Sequence, residues 1–281
     1  MKPRAPFGSR AAVWLLAFAA IGPACARAPT TPTTLVPPDT FDDGAHFGAS
    51  VVEIGDLDGD GVADLAVGAS LDRDDPGLGS VMLLWMRDDG TIKTSRKLRD
   101  PSPFEGKARL FGIALAPLGD LDGNGTPDLA VGSRGDLRVL LLEADGRIRA
   151  AHTFAPPRAR GSFGTSLTAL GDLDGDGIVD LASGAPLEDE HSGEVWLLFL
   201  AADGTVSRHR HIPPPAGDVT GGAVIGDRFG ESVAGLGDLD GDGFMDLAVG
   251  ARHDDDGGPD TGAVWDASMT VKGPSRSTPG V

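Results

Sequence analysis

Asp56-Leu57-Asp58-Gly59-Asp60-Gly61-Val62-Ala63-Asp64 is the stretch that decides how this chain is read. It places four carboxylates within nine residues, with glycines at positions four and six. The pattern returns three times, at Asp120, Asp122, Asn124 and Asp128, at Asp172, Asp174, Asp176 and Asp180, and at Asp238, Asp240, Asp242 and Asp246. A single copy reads equally well as an Asp-Gly hairpin turn. Four copies crowd like charges that repel unless a cation sits among them. Side-chain oxygens at positions 1, 3, 5 and 9, with the carbonyl of position 7, form the all-oxygen set that a hard ion such as Ca²⁺ takes at about 2.3–2.6 Å. The expectation is up to four Ca²⁺ sites made of these sixteen residues, with position 9 as the bidentate ligand. The second is the weakest, because Asn124 removes a charge and Pro127 stiffens the loop. Position 12 of each loop is Val67, Val131, Ser183 or Val249, so the carboxylate that completes an EF-hand is missing.

Nine residues before each loop stands Phe-Gly: Phe47-Gly48, Phe111-Gly112, Phe163-Gly164 and Phe229-Gly230. Four residues after each loop's last Asp stands a Gly: Gly68, Gly132, Gly184 and Gly250. These inner spacings are fixed, while the repeat steps are 64, 52 and 66 residues. A constant module joined by variable connections is the mark of stacked supersecondary units. Each unit reads as four short strands. One runs into the acidic loop and one leaves it, as in Asp64-Leu65-Ala66-Val67-Gly68. A third follows a Gly, as in Gly193-Glu194-Val195-Trp196, and Asp89-Gly90, Asp145-Gly146 and Asp203-Gly204 turn into a fourth. Four-stranded sheets repeated in this way are the blades of an all-β propeller.

The Phe-Gly, the D-x-D-G-D-G-x-x-D loop and the Gly184-Ala185-Pro186 that follows the third loop resemble the FG-GAP repeat of integrin α-subunit propellers and their bacterial relatives. The other copies vary the last motif, as Gly68-Ala69-Ser70, Gly132-Ser133-Arg134 and Gly250-Ala251-Arg252. The resemblance spans residues 41–265 and implies a propeller, Ca²⁺ in the loops and an adhesive or surface role. It departs in number: the family's propeller has seven blades, and four are visible here, at 41–104, 105–156, 157–222 and 223–265. An open arc follows, whose exposed sheet edges favour self-association. Residues 266–281 lack the Asp-Gly hairpin, so an irregular tail and a fourth blade without its outer strands are expected.

Residues 1–26 read as a signal peptide, with Lys2, Arg4 and Arg10 ahead of an apolar run at 11–21 and small residues at Ala24-Cys25-Ala26. The run is too short to span a bilayer, which takes roughly 20 helical residues. Cys25 is the single cysteine, which rules out an intrachain disulfide. It also sits where a lipoprotein carries its lipid, so a lipid-anchored and a simply secreted form both stand, and the Pro/Thr-rich segment 27–40 reads as a tether. A net charge of −18 disfavours nucleic acid as a partner. A glycan or another extracellular protein is the expected partner, and membrane contact would come only through a lipid on Cys25.

Other motifs read as structural. Gly230-Glu231-Ser232 misses the nucleophile-elbow spacing, and Ser50, Ser166 and Ser232 share one repeat position. His209-Arg210-His211 falls on an outer strand, and Glu188-Asp189-Glu190 and Asp254-Asp255-Asp256 read as solvated loops. The function expected is a non-enzymatic Ca²⁺-binding adhesive, scaffolding or ligand-binding protein. The alternative is a polymer-active extracellular enzyme, such as one acting on a polysaccharide.

Overall fold

A computed structural model describes residues 41–276 except 42–43, 74–78, 103–108, 158–160, 189–191, 215–225, 255–260 and 269–274. The signal-peptide, tether and Cys25 readings lie outside the described residues. Sixteen strands and no helix occur among those described. They form four antiparallel four-stranded sheets, each in simple meander order. Blade one comprises β1 (Phe47–Gly55), β2 (Asp64–Ala69), β3 (Ser80–Met86) and β4 (Ile92–Arg99). Blade two comprises β5 (Ala114–Gly119), β6 (Asp128–Ser133), β7 (Asp136–Leu142) and β8 (Ile148–Phe154). Blade three comprises β9 (Ser166–Ala169), β10 (Leu181–Ala185), β11 (Glu194–Leu200) and β12 (Val206–Ile212). Blade four comprises β13 (Ser232–Gly237), β14 (Asp246–Ala251), β15 (Ala263–Ser268) and β16 (Ser275–Arg276).

The burial of each strand follows from its place in the blade. β3, β7 and β11 are buried throughout and apolar apart from Ser80, Asp136, Arg138 and Glu194 near their starts, because a middle strand is covered on both faces. β8, outermost in its blade, alternates half-buried and exposed, as Ile148-Arg149-Ala150-Ala151 would with one face wet. The fourth blade departs from the sequence expectation. Its third strand runs to Ser268, and a two-residue outer strand pairs Ser275 with Ser268 and Arg276 with Ala267. Main-chain pairing does not need the Asp-Gly signal whose loss suggested a tail from 266 onward.

Three apolar cores lie between the four blades. Ile54, Leu83 and Trp85 meet Phe111, Leu129 and Leu140 between blades one and two. Leu118, Leu121 and Val139 meet Phe163, Leu181 and Trp196 between two and three. Leu170, Leu173 and Leu197 meet Phe229, Leu247 and Val249 between three and four. Strand periodicity supplies this arrangement: Leu129 and Val131 face the first core and Ala130 the second. The innermost strands meet in succession, β1 with β5, β5 with β9 and β9 with β13, and no comparable β13–β1 face forms among the described residues. The blades therefore form an open arc.

The Phe-Gly motif fastens each blade to the one before it. Phe111, Phe163 and Phe229 are 0%, 0% and 3% exposed. The next residue takes a positive φ, +87° at Gly112, +85° at Gly164 and +89° at Gly230, which turns its carbonyl onto the preceding blade. There it abuts Gly68, Gly132 or Gly184, where a Cβ would lie 1.9, 2.0 or 1.9 Å from the carbonyl oxygen. Ser50 Oγ donates to Gly112 O at 2.8 Å and Ser166 Oγ to Gly230 O at 2.9 Å. Two of the three serines that share a repeat position, Ser50 and Ser166, thus join blades.

Candidate metal centres

Each acidic loop links the first two strands of its blade, and in blades one, two and four a register shift at its entrance, as between Glu53 and Gly55, bends the chain into the loop. The position-1 carboxylate organises the turn. Asp56 Oδ1 accepts from Gly59 N at 2.8 Å and Asp60 N at 3.1 Å, and Oδ2 accepts from Gly61 N at 2.7 Å. Asp172 and Asp238 repeat these bonds. The amide of Gly177 and its neighbours hold the Asp172 carboxyl below its ordinary pKa.

Position 9 ties the loop to the interior. Asp64 Oδ2 accepts from Leu57 N at 2.9 Å, and Oδ1 accepts from Met86 N at the end of β3 at 2.8 Å. Asp128 does the same with Leu121 and Leu142, and Asp180 with Leu173 and Leu200. Both oxygens of the expected bidentate ligand therefore already accept a backbone N–H. Burial raises the pKa of Asp64, and pushes Asp128 and Asp180 up to about 6.

One oxygen each from positions 1, 3 and 9 converges in every loop: Asp56, Asp58 and Asp64; Asp120, Asp122 and Asp128; Asp172, Asp174 and Asp180; Asp238, Asp240 and Asp246. All oxygens in a set lie within 4.8 Å of one another. Two oxygens on one Ca²⁺ stand up to about 5 Å apart, so spacing and donor type both fit. Position 5 lies outside these converging sets. Asp60, Asp176 and Asp242 accept from the amide two residues on, at Val62, Ile178 and Phe244. Asn124 accepts from Thr126 N and donates Nδ2 to Leu142 O at 2.9 Å, which explains an amide at this one loop.

A feature absent from the sequence reading is a basic side chain from the outermost strand at three of the loops. Lys93 Nζ lies 2.6 Å from Asp58 and 2.9 Å from Asp60, Arg149 pairs with Asp122, and Arg208 lies 3.0 Å from Asp174. Their position a few residues after Asp89-Gly90, Asp145-Gly146 and Asp203-Gly204 was the available signal. A second correction concerns Glu188 and Asp254, the acids after β10 and β14, and their counterpart Asp72 after β2, which the sequence reading did not take up. Asp72, Glu188 and Asp254 are buried. Ser80 Oγ donates to Asp72 at 2.6 Å and Ser162 Oγ to Glu188 at 3.2 Å. The carbonyls of all three close the following loop by accepting from Gly79, Gly193 and Gly262. His209 and His211 are exposed and flank Trp196, with ring centroids 5.4 Å away in each case.

Comparison with known proteins matches an FG-GAP repeat model to residues 47–84 and 229–265, and an FG-GAP-like repeat model to residues 120–183. The chain is an FG-GAP repeat protein. Its curated relatives include human integrin alpha-10, 34% identical over 188 residues that make up 62% of this chain and 15% of that one. Integrin alpha-PS2 of Drosophila melanogaster is 30% identical over 235 residues, 77% of this chain and 16% of that one. Integrin alpha-4 of Xenopus laevis is 33% identical over 156 residues, 52% and 15% respectively. This FG-GAP repeat protein thus spans about a sixth of the length of these relatives.

The raised carboxyl pKa values set a pH dependence. A proton held more tightly by the native state stabilises it below the unfolded carboxyl's range, and this contribution is lost as the pH rises through about 6. The metal-free protein should therefore melt higher at pH 5 than at pH 7.5. Ca²⁺ must displace the same protons, so its affinity should be lower at pH 5 than at pH 7.5. Titration calorimetry giving equal affinities at the two pH values would contradict the assignment of Asp128 and Asp180 as ligands.

Proposed function

We propose that this chain is an extracellular or cell-envelope, non-catalytic adhesive or ligand-binding module, stiffened by Ca²⁺ in its four acidic loops. The observation that carries the reading is the fourfold convergence of three aspartate oxygens within 4.8 Å, repeated at one place in every blade. Metal at that point would tie the first two strands of each blade together where the chain turns most tightly. Asp56, Asp120, Asp172 and Asp238 would serve as ligands that also shape the loop, and three of the position-3 residues, Asp58, Asp122 and Asp174, would exchange their basic partners for the metal. Similarity to integrin α-subunits supports the adhesive and extracellular parts of the reading. The partner expected is an extracellular protein or glycan. Capture from a native envelope extract in Ca²⁺ and in chelator tests for it, and identical capture in both would detach the loops from binding.

Substitution separates the roles of positions 3 and 9. Asp174→Ala should remove about one equivalent of bound Ca²⁺ and leave the metal-free melt nearly unchanged, since Asp174 is exposed. Asp180→Ala should remove the same equivalent and also destabilise the metal-free protein by about 2–5 kcal/mol, because it strands the buried amides of Leu173 and Leu200. Four equivalents of Ca²⁺ bound by Asp174→Ala would defeat the site assignment.

A further inference from the structure

The large apolar residues exposed among those described are Val51, Leu236, Leu239 and Val264. Their repeat positions explain them. Val264 is 77% exposed, whereas its counterparts Val81, Leu137 and Val195 are each fully buried beneath the Phe-Gly of the next blade. Leu236 and Leu239 match Leu170 and Leu173, which are 1% and 7% exposed in the core between blades three and four. Val51 lies on the opposite end of the arc and matches Leu115 and Leu167, which are buried against the preceding blade.

The fastening parts at these two ends are built but engage nothing among the described residues. On blade four, the three atoms nearest to a Cβ at Gly250 all belong to Ser232, where Gly184 meets the next blade's carbonyl. The three atoms nearest to a Cβ at Gly262 all belong to Arg252, where the equivalent Gly79 and Gly193 meet the oxygens of Phe111 and Phe229. A cavity of about 480 Å³ remains there, lined by Ser232, Gly250, Gly262 and Val264 among others. On blade one, Gly48 already holds φ +90°, the conformation of the three engaged glycines, and no described atom lies within 4 Å of its Cβ position. Phe47 is only half-buried, against Phe41.

We propose that the free face of blade four is a docking socket for the Phe47-Gly48 corner of a second copy of this chain. The occupant follows from complementarity: each chain offers one vacant socket and one vacant corner of the kind that joins its own blades. The Gly48 carbonyl of one copy abuts Gly250 of the other, accepts from Ser232 Oγ, and Val51 and Val264 leave water together. Such a contact is heterologous and head-to-tail, so it closes into a ring or extends into a filament according to the rotation between copies.

Sedimentation velocity of the purified protein in Ca²⁺, from about 1 to about 100 µM, should show the apparent mass rising to at least about twice the monomer's. Val264→Glu and Val51→Glu, both at exposed positions, should each be monomeric over that range with unchanged melting midpoints. An equimolar mixture of the two should form a dimer that grows no further, since only one socket and one corner remain intact. A wild-type chain that stays monomeric throughout overturns the proposal, whatever other blade-bearing protein it then accepts. Association that survives in both variants, or a mixture that stays monomeric, overturns it equally.

Discussion

Chelation of divalent cations should lower the melting midpoint of this protein by about 20 °C or more relative to the Ca²⁺-saturated form. At a 100-fold excess over Kd, one site contributes about 2.7 kcal/mol if only the native state binds, so four sites contribute on the order of 10 kcal/mol. For a domain of this size each kcal/mol moves the midpoint by about 2–4 °C. The physical origin lies in the loops. Each gathers three carboxylate oxygens within 4.8 Å, and without metal that charge is answered by backbone amides and, at three loops, by Lys93, Arg149 or Arg208. These basic side chains are 40%, 44% and 56% exposed, so screening limits what they return. Calorimetric scans in Ca²⁺, in Mg²⁺ and in chelator measure the effect. Coincident midpoints in Ca²⁺ and chelator would remove structural Ca²⁺ from the account.

Gly184→Ala should cost roughly 3 kcal/mol or more, and Gly250→Ala, at the same position one blade on, less than about 1 kcal/mol. At Gly184 the new Cβ would lie 1.9 Å from the Gly230 carbonyl oxygen, a backbone atom that moves only if blades three and four separate. Their separation would open the core that holds Phe229, Leu197 and Val249. At Gly250 the nearest atom is Ser232 Oγ at 2.3 Å, the end of a side chain that can rotate toward solvent. Urea unfolding in saturating Ca²⁺, at a protein concentration low enough to keep the chain monomeric, compares the two. Equal costs would mean that the Phe-Gly carbonyl does not set the spacing between blades.

Everything legible in the sequence was encoded within a few residues. The acidic loop is nine residues long, and its turn is drawn by Asp56 on the amides of Gly59, Asp60 and Gly61, so the convergence of positions 1, 3 and 9 could be anticipated from spacing, whereas position 5, read with them, lies outside the converging sets. Strand order within a blade follows from short hairpins, and the blade count from the repeat. What only the tertiary structure decided depends on partners distant in the chain. Asp64, Asp128 and Asp180 are anchored by an amide on the third strand, 22 residues away in blade one, which spends lone pairs that local reading assigned to metal. Lys93 reaches Asp58 across 35 residues. Asp72, Glu188 and Asp254 look like solvated acids beside their neighbours in sequence, yet they are buried. The Phe-Gly motif was visible from the start, but its use was not. Its carbonyl acts on a glycine of the preceding blade, 44 residues earlier for Gly112 and Gly68. Burial and close contact between blades arise only when the sheets stack, and stacking alone leaves Val51 at one end and Val264 at the other facing water.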